Sequence, residues 1–306
     1  MNNKAKGYLL AAISSATYGM NPLFSLPLYA DGMGVDSVLF FRYMFAVPMV
    51  ALMVKSRGRS FSVAKNEILP LLMVGVFFVL SSITLFRSYQ YMDSGIASTI
   101  LFVYPVMVAL IMAIFFKEKI SLQTWCCIAL ALAGVGLLYK APDGATLSLV
   151  GTLFVMGSAL AYTLYIVAIN KTILKDVPSV KVTFYVILLG FFIFGALVLM
   201  GGELQTPTKW YLWLDIFAFA LLPTVLSMYC ATKAIVYIGS TATAILGALE
   251  PLTAVFFGIT IFGETLGGRD IAGLVLIIVS VTFVVAGGSI SAPLMRIRKL
   301  FPKLRK

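Results

Sequence analysis

Apolar residues in this chain come in long blocks, not in alternation and not along one face of otherwise polar helices. Ten blocks run over 7–29, 35–54, 68–88, 94–116, 121–139, 148–170, 179–200, 211–236, 240–262 and 269–287. About 20 predominantly apolar residues are needed to cross the hydrocarbon core of a bilayer as a helix. An outer-membrane barrel would show segments of about 10 residues with alternating polarity instead. The connections are short. The longest, 55–67, carries Lys55, Arg57, Arg59 and Lys65 and has no room for a soluble domain. The pattern predicts an all-α integral membrane protein with ten transmembrane helices.

The blocks repeat. Shifting the numbering by 144 lays Gly7 on Gly151, Tyr18 on Tyr162 and Phe40 on Phe184. A shift of 146 lays Arg87 on Lys233, Tyr91 on Tyr237, Ser94 on Ser240, Pro105 on Pro251, Phe116 on Phe262 and Glu118 on Glu264. Each half then holds five helices, an odd number, so the second half must enter the membrane upside-down relative to the first. The expected units are 1–145 and 146–288, followed by a basic tail, 289–306. Inverted repeats are a recurring plan of secondary transporters, with the substrate held near the bilayer midplane between the units.

Charge fixes an orientation. Lys4, Lys6, the basic residues of 55–67, Lys117, Lys119, Lys171, Lys175, Lys181, Lys233 and the tail fall on one side. Lys140, Lys209 and Arg269 fall on the other. The positive-inside rule places both termini in the cytoplasm of a multi-pass inner-membrane protein. The first block, following Lys4 and Lys6 without a small-residue cleavage site, is expected to be a retained helix. The net charge is +11, yet the basic residues lie between apolar blocks and in the tail, which suits anionic lipid or plain topogenesis and not nucleic acid. Composition agrees: 61% hydrophobic and 11% charged, against about 45–50% and about 25% in soluble domains. The chain has no histidine, which excludes imidazole catalysis and imidazole metal sites. Cys126, Cys127 and Cys230 have neither metal nor disulfide spacing and read as packing residues. No metal or cofactor is expected.

Several segments resemble the EamA-type members of the drug/metabolite transporter superfamily. They are Tyr-Gly-Met-Asn at 18–21, Phe-Arg-Tyr-Met-Phe-Ala at 41–46, Tyr104-Pro105 followed by Lys-Glu-Lys at 117–119, and Leu249-Glu250-Pro251 followed by Gly263-Glu264. The resemblance spans the chain. It implies ten helices in two inverted repeats, no ATP site, and movement of metabolites, often amino acids, usually outward. The absence of a phosphate-binding loop ending in Lys-Ser or Lys-Thr agrees with it. Tyr18 departs from the Trp of many relatives and leaves substrate size open.

Candidate chemistry lies inside the blocks. Glu250 sits near the centre of the ninth, where a charge costs about 2.5–3.5 kcal/mol or more. It either faces a cavity and binds substrate or protons, or stays neutral and hydrogen-bonds backbone freed by Pro251. Tyr18 and Asn21, with Ser14, share one helix face; Ser158, Tyr162 and Tyr165 repeat it. These faces either line a shared cavity, joined by Tyr104, or pair helices through hydrogen bonds. For Arg42 the simpler reading is an arginine that snorkels outward or pairs with Asp31 or Asp36; the alternative is a contact for a substrate carboxylate near the outer vestibule. Arg87 and Lys233 read as interface anchors or gate contacts. Pro22, Pro105, Pro223 and Pro251 are expected to kink their helices and release the carbonyls of Tyr18, Leu101, Phe219 and Gly247. The function these features favour is secondary transport of amino acids or similar solutes, open to coupling with protons. The alternatives are an exchanger of phosphorylated sugars or nucleotides and a membrane-embedded lipid-modifying enzyme. The latter lacks a visible nucleophile–base pair or metal cluster.

Overall fold

The structure, a computed structural model, describes residues 3–92, 97, 100–118, 121–138, 148–201, 203–262, 267–269, 271–280 and 283. Glu264 and the basic tail lie outside these residues. All regular structure among them is helical. Five helical stretches are long and apolar enough to cross a membrane: Val35–Ser56, Lys65–Ser88, Leu149–Lys171, Ser179–Gly201 and Leu212–Ile238. We number the helices α1 (Asn3–Tyr18), α2 (Asn21–Ala30), α3 (Val35–Ser56), α4 (Lys65–Ser88), α5 (Tyr104–Phe116), α6 (Leu122–Leu138), α7 (Leu149–Lys171), α8 (Ser179–Gly201), α9 (Leu212–Phe219), α10 (Ser227–Ile238), α11 (Ser240–Leu246), α12 (Leu249–Phe262) and α13 (Ile271–Ser280).

The expected spans 7–29 and 240–262 are not single helices. The first breaks at Gly19–Met20, between α1 and α2, and the other at Gly247–Ala248, between α11 and α12. Helix α5 likewise begins afresh at Tyr104, after a turn at Phe102–Val103. In all three cases the new helix carries its proline, Pro22, Pro251 or Pro105, in the first turn. Proline lacks an amide hydrogen and is tolerated there, where no intrahelical donor is required. The chain therefore restarts its helix ahead of each proline instead of bending through it. Pro223 behaves differently. It sits within a π-helical stretch, Ala220–Leu226, that joins α9 and α10. There the Thr224 hydroxyl donates to the Phe219 carbonyl at 3.0 Å, replacing the amide that Pro223 lacks.

Polarity is distributed opposite to that of a soluble protein. Leu52, Leu69, Phe115, Leu149 and Leu199 are exposed. Ser14, Ser81, Ser158, Thr163, Thr224 and Ser227 are buried. Lipid is as apolar as leucine, so interior polar groups hold such helices together. Helix α1 packs on α10, α4 packs on α7, and α3 packs on α8.

These contacts follow the sequence repeat. Ser14 donates to the Ser227 carbonyl at 2.9 Å across α1 and α10. Its equivalent Ser158 donates to the carbonyl of Ser81, the equivalent of Ser227, at 2.8 Å across α7 and α4. Gly7 lets α1 touch Tyr237 and Ile238, and its equivalent Gly151 lets α7 touch Tyr91 and Met92, the equivalents of those two. Helix α7 ends beside the end of α10, where Asn170 donates to the Ile235 carbonyl at 3.5 Å. So α1 begins at the end of the molecule where α7 finishes. We call this the basic end, since the 56–64 connection lies there; the connections 31–34 and 203–211 lie at the opposite end.

Candidate functional site

Four tyrosines meet where the two halves face each other. Tyr18 at the end of α1 stacks on its equivalent Tyr162, with ring centroids 6.2 Å apart and planes 9° from parallel. Tyr162 stacks in turn on Tyr165 at 5.8 Å. Tyr104, opening α5, meets the Tyr162 ring edge-on at 5.0 Å. The spacing of Tyr162 and Tyr165 turns both rings to one side of α7, and the break after Tyr18 lets its ring reach across. Tyr104 is locked: its hydroxyl donates to the Ala244 carbonyl at 3.1 Å, and Gly247 leaves room for it. Tyr165 is buried and lies 3.3 Å from the Thr232 hydroxyl. Ser158 belongs to the helix contact with Ser81 described above, and its hydroxyl is occupied there.

Glu250 joins this cluster. It stands in the first turn of α12, just after the break, and lies within electrostatic reach of Tyr18, Tyr104 and Tyr162. Gly19 packs against its backbone carbonyl, so the break between α1 and α2 meets the start of α12. The Glu250 side chain is half-buried. Among the described residues its carboxyl forms no hydrogen bond and no ion pair, and the carbonyl freed by Pro251 is met by other means. The Glu250 backbone amide donates to the Gly247 carbonyl at 2.8 Å. The alternative that Glu250 serves to bond released backbone is thus not what this structure displays.

Arg42 corrects the simpler expectation. It is 1% exposed, so it does not snorkel. Asp36 instead pairs with Arg87 at 2.9 Å, and Asp31 accepts from Thr208. The Arg42 Nε donates to the Thr224 hydroxyl at 2.5 Å, and Nη2 reaches the Pro223 carbonyl at 3.4 Å. The guanidinium lies 4.3 Å from the centroid of the Phe219 ring and 5.5 Å from that of Phe86. Nη1 has no partner among the described residues. On the neighbouring face of α2, Asn21 Oδ1, Ser25 Oγ and Tyr29 OH are also buried and unpartnered. Sequence reasoning found Asn21 but missed Ser25 and Tyr29, although their spacing of four continues its face. Thr224 was also missed; its place beside Pro223 was the available signal. Among the described residues no three Cys, Asp or Glu side chains gather as a metal site would require.

The chain matches the model of the EamA-like transporter family twice, over residues 5–140 and 149–286. It belongs to that family. This EamA-like transporter is 25% identical over 276 residues to an uncharacterised transporter of Archaeoglobus fulgidus, covering 90% of this chain and 94% of the relative. A solved crystal structure superposes on it with a TM-score of 0.78, covering 91% of this chain and 96% of the other at 15% identity, a likeness of fold. The protein is therefore a multi-pass membrane transporter.

In this EamA-like transporter both ends carry contacts between the halves. At the opposite end Asp31 accepts from the Thr208 backbone amide at 2.7 Å and from its hydroxyl at 2.5 Å. These two hydrogen bonds hold the Asp31 carboxyl below the usual carboxylate range. Gln205 receives the Gly34 amide and donates its own backbone amide to Ser37. At the basic end Lys171 pairs with Glu118 at 2.6 Å and Lys181 with Glu67 at 2.6 Å. A cavity of about 510 Å³ opens there, lined in part by Arg57, Arg59, Lys175 and Lys233 and, among the described residues, by no carboxylate. Lys233 is held by Tyr229, whose hydroxyl it meets at 3.0 Å.

Proposed function

We propose that this transporter moves amino acids or similar small metabolites across the cytoplasmic (inner) membrane by alternating access, in the direction of export, with protons as coupling ion. In this reading ten spans form two inverted repeats, 1–145 and 146–288, with the basic tail 289–306 and both termini in the cytoplasm. The reciprocal Ser14–Ser227 and Ser158–Ser81 contacts support the inverted arrangement. The family supports transport, and the excess of Lys and Arg at the basic end supports the orientation.

One observation carries the mechanism. Equivalent tyrosines of the two halves, Tyr18 and Tyr162, face each other beside a half-buried Glu250 whose carboxyl has no partner among the described residues. Rings at this depth offer an apolar and polarisable surface to a solute, with a polar hydroxyl at the rim. A carboxyl without a fixed partner can exchange a proton for a solute ammonium, which couples the two fluxes. The helix breaks at Gly19 and Gly247 bring backbone to the same place, where irregular backbone within a membrane is tolerated if it lines a cavity. Asn21, Arg42 and the prolines Pro22, Pro105, Pro223 and Pro251 shape this region.

The test is uptake into proteoliposomes of the purified full chain with an amino-acid panel, with and without an imposed pH gradient, beside Glu250→Gln. Gradient-driven uptake is expected in the wild type and is lost in the variant, while exchange without a gradient survives. Equal gradient-driven uptake by both would remove Glu250 from proton coupling. Phosphorylated sugars and nucleotides form the second reading, favoured by the four cations lining the basic-end cavity. Phosphate esters belong in the same panel. Uptake of these and of no amino acid would reverse the preference.

A further inference from the structure

An arginine buried in a membrane protein usually meets a carboxylate, and Arg42 meets none among the described residues. Two hydrogen bonds and two aromatic faces hold the guanidinium in place. The cation–π contacts hold the guanidinium without cancelling its charge. The donor left over is Nη1, on the edge of a planar fork whose geometry suits a carboxylate. Tyr29, within electrostatic reach of Arg42, brings a buried hydroxyl without a partner among the described residues, and Ser25, one turn back along α2, a second. Several buried polar atoms left unpaired together are costly.

The repeat supplies a control within the same molecule. At the positions related by the repeat, Arg42 becomes Val186, Ser25 becomes Ile169 and Tyr29 becomes Ile173 in the second half, and Thr224 becomes Phe78 in the first. Val186, Ile169 and Phe78 are buried in apolar packing, while Ile173 is exposed. Around this related position α4 carries Phe77 where Pro223 stands and has no π-helical stretch, so the bracing by Arg42 has no counterpart there, and that bracing leaves Nη1 unpartnered among the described residues.

We propose that Arg42, with the hydroxyls of Ser25 and Tyr29, forms an anion subsite that receives the carboxylate of the transported solute. This deepens the transport reading and rests on it for the identity of the occupant. The solute would lie with its carboxylate at Arg42 and the rest of its body against Tyr18 and the central rings. That orientation selects acids over their amides and amines.

The test reads binding apart from flux. Thermal unfolding of the purified full chain in detergent is followed with sodium acetate, L-leucine, leucinamide and sodium chloride at matched ionic strength. Acetate and L-leucine are expected to raise the Tm saturably, leucinamide and chloride to leave it unchanged, and Arg42→Gln to abolish the response. Arg42 also braces the π-helical stretch, so Tyr29→Phe is the second variant. It removes a hydroxyl without a partner among the described residues, so the Tm without ligand should hold while the half-saturating concentration rises roughly tenfold. Equal responses in wild type and Arg42→Gln, a chloride effect matching that of acetate, or a wild type that no carboxylate shifts would each overturn the subsite. If amino acids are transported but amides move as well as acids, the subsite falls and the transport reading stands. If nothing is transported yet carboxylates still act through Arg42 and Tyr29, the subsite stands and the transport reading falls.

Discussion

A methyl group placed on Gly247 would fall on the Tyr104 hydroxyl. Gly247→Ala should therefore displace the ring, break its bond to Ala244 and lower stability by about 1–3 kcal/mol. Tyr104→Phe in that background removes the nearest of three atoms in the way and leaves the ring Cζ and the Ala244 carbonyl oxygen at 2.8 Å, so the double variant should recover part of the loss and be more stable than the two single changes summed. Thermal unfolding in detergent measures all three, and strict additivity would show that the two residues do not meet. The tyrosines on α1 and α7 could be read from spacing alone, because residues three and four apart share a helix face. The bond from Tyr104 to Ala244 could not, since it joins positions 140 residues apart. Arg42 was misjudged for a related reason. Asp31 and Asp36 are its nearest acids in sequence, but the fold gives one to Thr208 and the other to Arg87. Nearness along the chain says little about which charges meet once helices from both halves interleave.

At the scale of elements, proline positions were legible and their consequences only partly so. The helices restart ahead of Pro22 and Pro251 just after Gly19 and Gly247, and ahead of Pro105 with no glycine in the preceding turn, so glycine alone does not decide the outcome. At Pro223 the Thr224 hydroxyl supplies the missing donor, and the helix continues through a π-helical stretch instead. The connection after α2 carries a second consequence. The Asp31 carboxyl is held below its ordinary range by Thr208. Its contribution to the folded state is therefore complete above about pH 3.9, the unfolded value, and is lost as pH falls through the lower folded value. Asp31→Asn lacks that dependence. Melting curves from neutral pH downward should show a constant gap between wild type and variant above about pH 4, closing below it. A gap that stays constant throughout would exclude the Asp31 charge as its source.

For the molecule as a whole, the repeat in the sequence announced paired halves, because Gly7, Ser14 and Tyr18 recur at 151, 158 and 162. It did not announce how they pair. Each of these residues meets the other half: Gly7 touches Tyr237, Ser14 bonds to Ser227, and Tyr18 stacks on Tyr162. An interface made of matched contacts has two equivalent ways to tilt, one opening each end. The two ends differ, with Arg42 toward the opposite end and four cations around the cavity at the basic end. Alternating access requires contacts at each end to release in turn. Two cysteine pairs test this in a background free of Cys126, Cys127 and Cys230. Asp31→Cys with Thr208→Cys would lock the opposite end, and Glu118→Cys with Lys171→Cys the basic end. Either lock alone should stop flux when oxidised and restore it on reduction. Each should also leave a cysteine at Tyr18 reachable by a thiol reagent only from the end not locked. Oxidised protein that still transports, or a Tyr18→Cys site reachable from the locked end, would mean that the path does not run between the halves.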